Sequence, residues 1–456
     1  MWVPTAFVTG EPFLTACAAA YDVRIGLVVG FGHWDDTADM SRPAHPSPTP
    51  LERPDFVPQR IDRASRGRGV TMLLLLTVVV CAGWSLVLSD RQVRAASDTP
   101  VAFWSWRREL PEQSVVDRAV TATGAQTLFV RAGTLHSGHT GLTRIRETTG
   151  PCPIGIDVHF VYNATPELLE EIETTGVADL AGAIVDAYEL DAAHAIEAGS
   201  AVCGLQLDLD VPTRLLSRYG ELLRAVDARL PEGSQLSVTG LPTWMTSKDL
   251  PTMLEPVDFW IPQFYGGTVP RDVRDTTPIA AVDQVRAGVR RASRLGKPFF
   301  AGLAAYGYTL QFNSDGSLRA LHGRVDPARV ARSYDVEVVV DSDSPDSVSN
   351  GRVTYRVLTA SVIDGMRVAP GDFLVVETPS SAVLRASARA AREEGGETLL
   401  GLCVFRLPEP GDRSVLRMAS IAAALADRDP AEEVEVSVDG GEPGRFRRVA
   451  VPEVKP

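Results

Sequence analysis

Residues 204–212 read Gly-Leu-Gln-Leu-Asp-Leu-Asp-Val-Pro, with leucine alternating with a polar residue and two carboxylates at the end. In an extended strand successive side chains face opposite sides, so Gln206, Asp208 and Asp210 share one face and Leu205, Leu207 and Leu209 the other. Which face is buried depends on what surrounds the strand. Short runs rich in Val, Phe and Trp recur along the chain: VAFWSW from Val101, TLFVRAG from Thr127, IGIDVHFVY from Ile154, GLQLDLD from Gly204, QLSVTGL from Gln235, VDFWIPQFY from Val257, KPFFAGLAAYGY from Lys297 and LLGLCVFRL from Leu399. Between them lie stretches of helical spacing, among them TPELLEEIETT from Thr165, TRLLSRYGELLRAVDARL with Thr213 as its predicted N-cap, and VDQVRAGVRRASRLG ending at a glycine. Eight strands alternating with helices over residues 100–427 predict an α/β fold, a (β/α)8 TIM barrel. The rival, an open doubly wound sheet, lacks a GxGxxG turn after its first strand.

In a barrel the leucines meet the helices, which sends Gln206, Asp208 and Asp210 into an interior normally filled by branched apolar residues. Unpartnered carboxylates there cost several kcal/mol (on the order of 2–7 even for a neutral polar group), so they are either tightly hydrogen-bonded or kept for chemistry. The C-terminal end of a barrel strand is where such enzymes carry their active sites. That favours chemistry, with Asp210 as proton donor and Asp208 as the charge stabiliser. The competing reading has Asp210 capping the helix after Pro212 and Asp208 tying neighbouring strands together.

Other strand ends supply matching groups. Arg131 ends the second run, His159 and Asp157 share a face of the third, Trp244 follows the fifth, Gln263 and Tyr265 share a face of the sixth, and Tyr306 and Tyr308 close the seventh. Aromatic rings stack on sugars, and amides, guanidinium and carboxylates bind hydroxyls. The predicted site is therefore Asp210, Asp208 and Tyr265 as catalytic groups, with Gln206, Gln263, Arg131, His159, Trp244 and Tyr306 as substrate contacts. Trp104, Trp106 and Trp260 read as core. Beyond the apolar run at 70–88 only Cys152, Cys203 and Cys403 remain, without a CxxC, and no HExxH or phosphate loop stands out, so no metal or cofactor is called for.

Residues 310–378, with VEVVVDSDS, GRVTYRVLTAS and GDFLVVE, break the alternation and predict a small β-rich insertion after the seventh strand, beside the mouth. The N-terminal part reads as targeting. Val70 to Leu88 is free of charge, follows Arg60, Arg63, Arg66 and Arg68, and precedes Val93-Arg94-Ala95, which fits the spacing of a signal-peptidase site. Residues 70–95 are thus a signal peptide or an uncleaved membrane anchor, residues 1–69 a disordered or mis-started tail, and residues 428–456 a loose acidic tail. The 45 Lys+Arg against 58 Asp+Glu give −13, and residues 1–95 hold nine of each sign, so the exported part carries the whole excess and is a poor nucleic-acid ligand.

GLQLDLD before a helix, LSVTGLPTW, VDFWIPQFYGG and GLCVFRLP resemble a bacterial family of exported proteins described as a domain of unknown function. Its barrel is in turn similar to that of the family 18 glycoside hydrolases, the chitinases and endo-N-acetylglucosaminidases. In those hydrolases strand four carries Asp-Gly-x-Asp-x-Asp-x-Glu and strand six Met- or Gln-x-Tyr. Here Gly204 keeps the glycine, Gln206 replaces the first inward aspartate, Asp208 matches the group that assists the substrate's acetamido, Asp210 stands where the glutamate acid would be, and Gln263-Phe264-Tyr265 matches strand six. Cys203 replaces the leading aspartate, and Asp210 is one methylene shorter than glutamate. The resemblance implies an exported glycoside hydrolase-like barrel acting on a carbohydrate; the alternative is a catalytically silent carbohydrate-binding or structural barrel of the cell envelope.

Overall fold

The computed structural model describes residues 99–429, apart from 108, 139–140, 145–149, 174–175, 276 and 340–350. The predicted signal or anchor segment, the N-terminal tail and residues 430–456 of the C-terminal tail lie outside the described residues. Among those described, no helix is long and apolar enough to cross a membrane.

The strands in chain order are β1 (Val101–Ser105), β2 (Thr127–Gly138), β3 (Gly141–Arg144), β4 (Asp157–Ala164), β5 (Ala201–Asp208), β6 (Gln235–Gly240), β7 (Phe259–Pro262), β8 (Phe299–Ala304), β9 (Tyr308–Phe312), β10 (Leu318–His322), β11 (Val336–Val338), β12 (Arg352–Val357), β13 (Ser361–Ile363), β14 (Met366–Val368), β15 (Phe373–Glu377) and β16 (Leu399–Phe405). The order β1-β16-β8-β7-β6-β5-β4-β2, with β1 paired again to β2, closes an eight-stranded parallel barrel, and β3 folds back antiparallel on β2. All eight runs picked out by composition are barrel strands. The helices are α1 (Gln113–Thr123), α2 (Pro166–Glu171), α3 (Val177–Glu197), α4 (Leu216–Asp227), α5 (Leu250–Leu254), α6 (Val282–Arg294), α7 (Pro327–Arg332), α8 (Ser381–Glu394) and α9 (Met418–Leu425).

Two apolar layers follow from the strand period. Leu205 and Leu207 point outward into the cluster shared with the helices, and neither touches solvent. Each such burial contributes roughly 1.5–3 kcal/mol. On the helix side, Val285, Val289 and Ala292 of α6 repeat at helical spacing and are buried against the barrel. Inside, Ala102, Trp104, Phe129, Val161, Phe259, Ile261 and Cys403 form a second cluster. Gly204 is required where β5 meets β6: a Cβ there would lie 2.2 Å from the Gln235 carbonyl oxygen.

Two boundaries differ from the sequence reading. β5 stops at Asp208, so Asp210 stands in the loop beyond the strand, although Leu209 and Val211 on either side stay buried and keep the alternation going. Thr213 is not an N-cap: Thr213–Leu215 form a 3-10 turn, and α4 begins after Leu215 without a side-chain cap. Val211-Pro212 leads straight into that turn, so the helix starts one turn late.

Between β8 and β16 the chain builds a five-stranded sheet in the order β10-β9-β15-β12-β11, antiparallel wherever neighbours pair, with β13 and β14 as a separate hairpin. One face carries Tyr308, Leu310, Phe312 and Val375 into the same cluster as the barrel interior. The other face has its own core of Tyr355, Val357, Ile363, Met366 and Leu374. The insertion is fastened to three barrel rims. Arg324 donates to the Trp106 carbonyl (2.8 Å) after β1, Arg406 after β16 donates to the Gly323 carbonyl (3.2 Å), and Leu318 N–H donates to the Arg271 carbonyl (3.0 Å) beyond β7.

Candidate functional site

The mouth is best built one layer at a time. At the lowest level His159 on β4 stands beside Phe129 on β2 and opposite Gly204 on β5. Its ring lies 4.9 Å from Phe129 and 5.6 Å from Phe259, it is 3% exposed, and its Nδ1 has no partner. Burial alone pushes the imidazole down to about 4, so it is neutral at physiological pH. It is an aromatic-packed barrel residue two levels below Asp208, packed between Phe129 and Phe259. This corrects its expected role as a substrate contact.

One level up, the Trp104 indole N–H donates to Gln206 Oε1 (2.7 Å), and the Gln206 amide donates to Ser237 Oγ (3.3 Å). Gln206 has no exposed surface. Facing inward was the right expectation; contacting substrate was not, because both ends of the amide are taken up by the barrel itself.

At the top, four consecutive strands bring Thr134, Asn163, Asp208 and Thr239 to one rim. Thr134 stands opposite Asn163, and Asn163 opposite Asp208. Arg131 Nη2 donates to Thr134 Oγ1 (2.8 Å), Thr134 Oγ1 donates to Asn163 Oδ1 (2.9 Å), and the Thr239 hydroxyl donates to Asp208 Oδ1. All five side chains are buried. The Arg131 guanidinium also lies 5.4 Å over the Trp106 ring, a cation–π arrangement.

Burial and the neighbouring Asp210 charge push Asp208 up to about 7, against the smaller pull of the Thr239 hydroxyl and the Arg131 charge. Asp210 is half-buried, and its flanking Leu209 and Val211 are fixed in the outer cluster, which turns its carboxyl to the mouth. The pair therefore shares protons as two interacting groups in a partly dry place do, with the deeper carboxyl, Asp208, raised.

The opposite rim is aromatic. Tyr265 stacks on Phe405 (5.8 Å, 23°) and meets Tyr306 edge-on (5.8 Å), and Tyr306 meets Phe405 (5.0 Å). Burial first, then Tyr306, Cys403 and both aspartates raise the Tyr265 phenol well above its ordinary value, which places it within electrostatic reach of the carboxylates. Tyr306 and Gln263 are half-buried at the same rim, and the Gln263 N–H is held by the Gly240 carbonyl (2.8 Å). The structure thus brings together Asp208, Asp210, Arg131, Gln263, Tyr265 and Tyr306. Trp244 stays outside. It has no exposed surface, packs on Tyr219 in the helix layer, and donates to the Val211 carbonyl (2.9 Å), so its expected contact with substrate is corrected to a core role that anchors the Asp210 loop from behind.

Sequence reasoning missed Thr134, Asn163 and Thr239. Their only signal was placement at strand ends, Thr134 and Asn163 directly after TLFVRAG and IGIDVHFVY and Thr239 within QLSVTGL. No group of side chains suited to a metal ion occurs among the described residues. A cleft of about 210 Å³ between α3 and Gly150–Cys152 lies outside the barrel and contains none of these residues.

Fold and rim together define an eight-stranded α/β barrel with paired carboxylates at its mouth. Residues 178–347, from α3 into the insertion, match the family model described as a domain of unknown function, DUF3142. Solved structures similar to the chain include the spore cortex-lytic enzyme SleL of Bacillus cereus, 15% identical over 73% of this chain and 74% of that one, with a TM-score of 0.44. A chitinase from Chromobacterium violaceum is 15% identical over 72% and 98% (TM-score 0.45). A glycoside hydrolase family 18 N-acetylglucosaminidase from Paenibacillus barengoltzii is 11% identical over 72% and 100% (TM-score 0.42). None of the curated proteins matches the chain.

Proposed function

We propose that the protein is an exported glycoside hydrolase that cleaves a carbohydrate at the rim formed by Asp208, Asp210 and Tyr265. The observation that carries this reading is the carboxylate pair: a deep acid whose proton affinity is raised by burial and charge, beside a shallower one facing the mouth, opposite an aromatic wall. Two carboxyls with separated proton affinities are what glycosidic cleavage needs. A sugar seated on the wall removes water from Asp210 and raises its proton affinity toward that of Asp208. The proton then moves outward to Asp210, which delivers it to the glycosidic oxygen as the C–O bond breaks. Asp208, now charged and held by Thr239 and Arg131, steadies the positive anomeric centre, directly or through a neighbouring acetamido group. Water completes the exchange and returns a proton to the pair.

The test is a screen of the full chain against bacterial polysaccharides and aryl glycosides, followed by two variants. Asp210→Asn is expected to lower turnover by at least about a hundredfold with sugar binding retained, and to spare aryl substrates whose leaving group needs no proton. Asp208→Asn is expected to impair both substrate kinds. Full activity in Asp210→Asn would remove the assignment.

A second reading has its own support. The Thr239–Asp208 and Gln206–Ser237 bonds tie the neighbouring strands β5 and β6, and the Trp104–Gln206 bond ties β1 to β5 across the interior, as a silent carbohydrate-binding or structural barrel would use them. That reading predicts that Asp208→Asn lowers the melting temperature and that no glycoside is cleaved.

A further inference from the structure

The rim hydrogen bonds have a direction, and that direction orients a residue with no role so far. Arg131 can only donate, so Thr134 Oγ1 accepts from Nη2. Thr134 in turn donates its single proton to Asn163 Oδ1 at 2.9 Å. The hydroxyl thus holds the Asn163 amide by its oxygen and turns its Nδ2 donors away from Thr134. The next strand in register is β5, and the residue opposite Asn163 is Asp208. Parallel partners in register face the same side of the sheet, about 4.8 Å apart, so Asn163 and Asp208 stand side by side at the mouth. Asp208 is tied from its other side by Thr239 on β6. The rim therefore has a polarity: donor from Arg131 through Asn163, acceptor from Thr239 through Asp208, and the two chains meet between β4 and β5.

Resting on the carbohydrate reading above, we propose that Asn163 is a substrate-contacting residue whose Nδ2 donates to an acceptor oxygen of the sugar held beside Asp208, and that Thr134 is a positioning residue that sets the amide. Asn163 complements the carboxylates: Asp210, and Asp208 once it is charged, hold sugar O–H or N–H groups, and the Asn163 amide supplies donors for a lone pair. A sugar presenting an O–H or N–H next to an acceptor oxygen satisfies both in one orientation only, which selects the ring face that approaches the acid.

Isothermal titration of the full chain with N,N′-diacetylchitobiose, cellobiose and maltose tests this. For whichever disaccharide the wild type binds, Asn163→Asp removes both donors and is expected to weaken binding at least tenfold. Thr134→Val, which leaves Asn163 in place but frees its amide to turn, is expected to weaken binding several-fold, and Thr134→Ser to restore it, with all melting temperatures measured alongside. A merely structural threonine would not separate valine from serine in binding at equal stability. Wild-type binding unchanged in Asn163→Asp would overturn the inference and leave the carbohydrate reading standing. Should Asn163→Asp not fold, equal binding by Thr134→Val and wild type would overturn it instead. Wild type binding none of the three sugars would bring down the carbohydrate reading and this contact with it.

Discussion

His159 and Asp208 sit two levels apart in one barrel and are perturbed in opposite senses. Asp208, raised from 3.8 to about 7, holds its proton in the folded state while the unfolded chain has lost it, so folding stability falls as pH rises from about 4 to about 7. His159, lowered from 6.5 to about 4, stays neutral in the folded state while the unfolded chain takes up a proton, so stability falls as pH drops from about 6.5 to about 4. Over that window the two contributions oppose each other. Urea unfolding across pH 4–7 is therefore expected to show a steeper loss on acidification in Asp208→Asn than in wild type, and stability that improves on acidification in His159→Phe. Parallel curves for all three proteins would show that neither group is perturbed by its surroundings. Asp208 and Gln206 were legible as inward-facing because strand alternation is a local rule. The raised proton affinity of Asp208 was not, because it depends on how deep the carboxyl ends up, and β5 stops there.

At the scale of elements, the insertion is a clamp on the loop that follows β7. Glu377, buried at the end of β15, accepts the Ile279 N–H (2.7 Å), and the Ile279 carbonyl accepts the Gly266 N–H (2.8 Å) just beyond Tyr265, where Gly266 takes a left-handed φ of 65°. Arg352 on β12 donates to the Asp275 carbonyl (2.5 Å) in the same loop and lies 3.9 Å from Glu377. Removing the carboxyl leaves the Ile279 N–H buried without an acceptor, at a cost of about 1–3 kcal/mol. Glu377→Ala is expected to lower the melting temperature by several degrees and to speed amide exchange at Ile279 and Gly266, whereas Glu377→Gln, which keeps an acceptor oxygen, should change exchange little. Unaltered exchange in Glu377→Ala would detach the insertion from the site. The eight strands and the presence of an insertion could be read from composition and period. The clamp could not, since Glu377 and Ile279 are 98 residues apart and meet only through the tertiary fold. The same holds for Asn163, whose neighbours are set by strand register, and for Trp244, an aromatic at a strand end that turns outward because the Val211 carbonyl waits behind it.

For the whole molecule, the basic-flanked apolar run at 70–88 places residues 100–456 on the outer side of the cytoplasmic membrane in the proposed function. A phosphatase reporter fused after Asp427 is expected to be active, and activity of a cytoplasm-only reporter at the same point would refute export. The barrel's seam bears on how such a journey is made. β1 closes against β16, pairing Val101 with Leu402 and Trp104 with Phe405, so the first strand waits for the last. Until some three hundred residues have been strung out, β1 has only β2 beside it and the apolar interior stays open on one flank. Such long-range closure is slow. In the proposed export, a translocation channel that accepts only unfolded polypeptide would meet a substrate still pliant when its leading end arrives, and the ring would close on the far side, after the trailing strand has crossed.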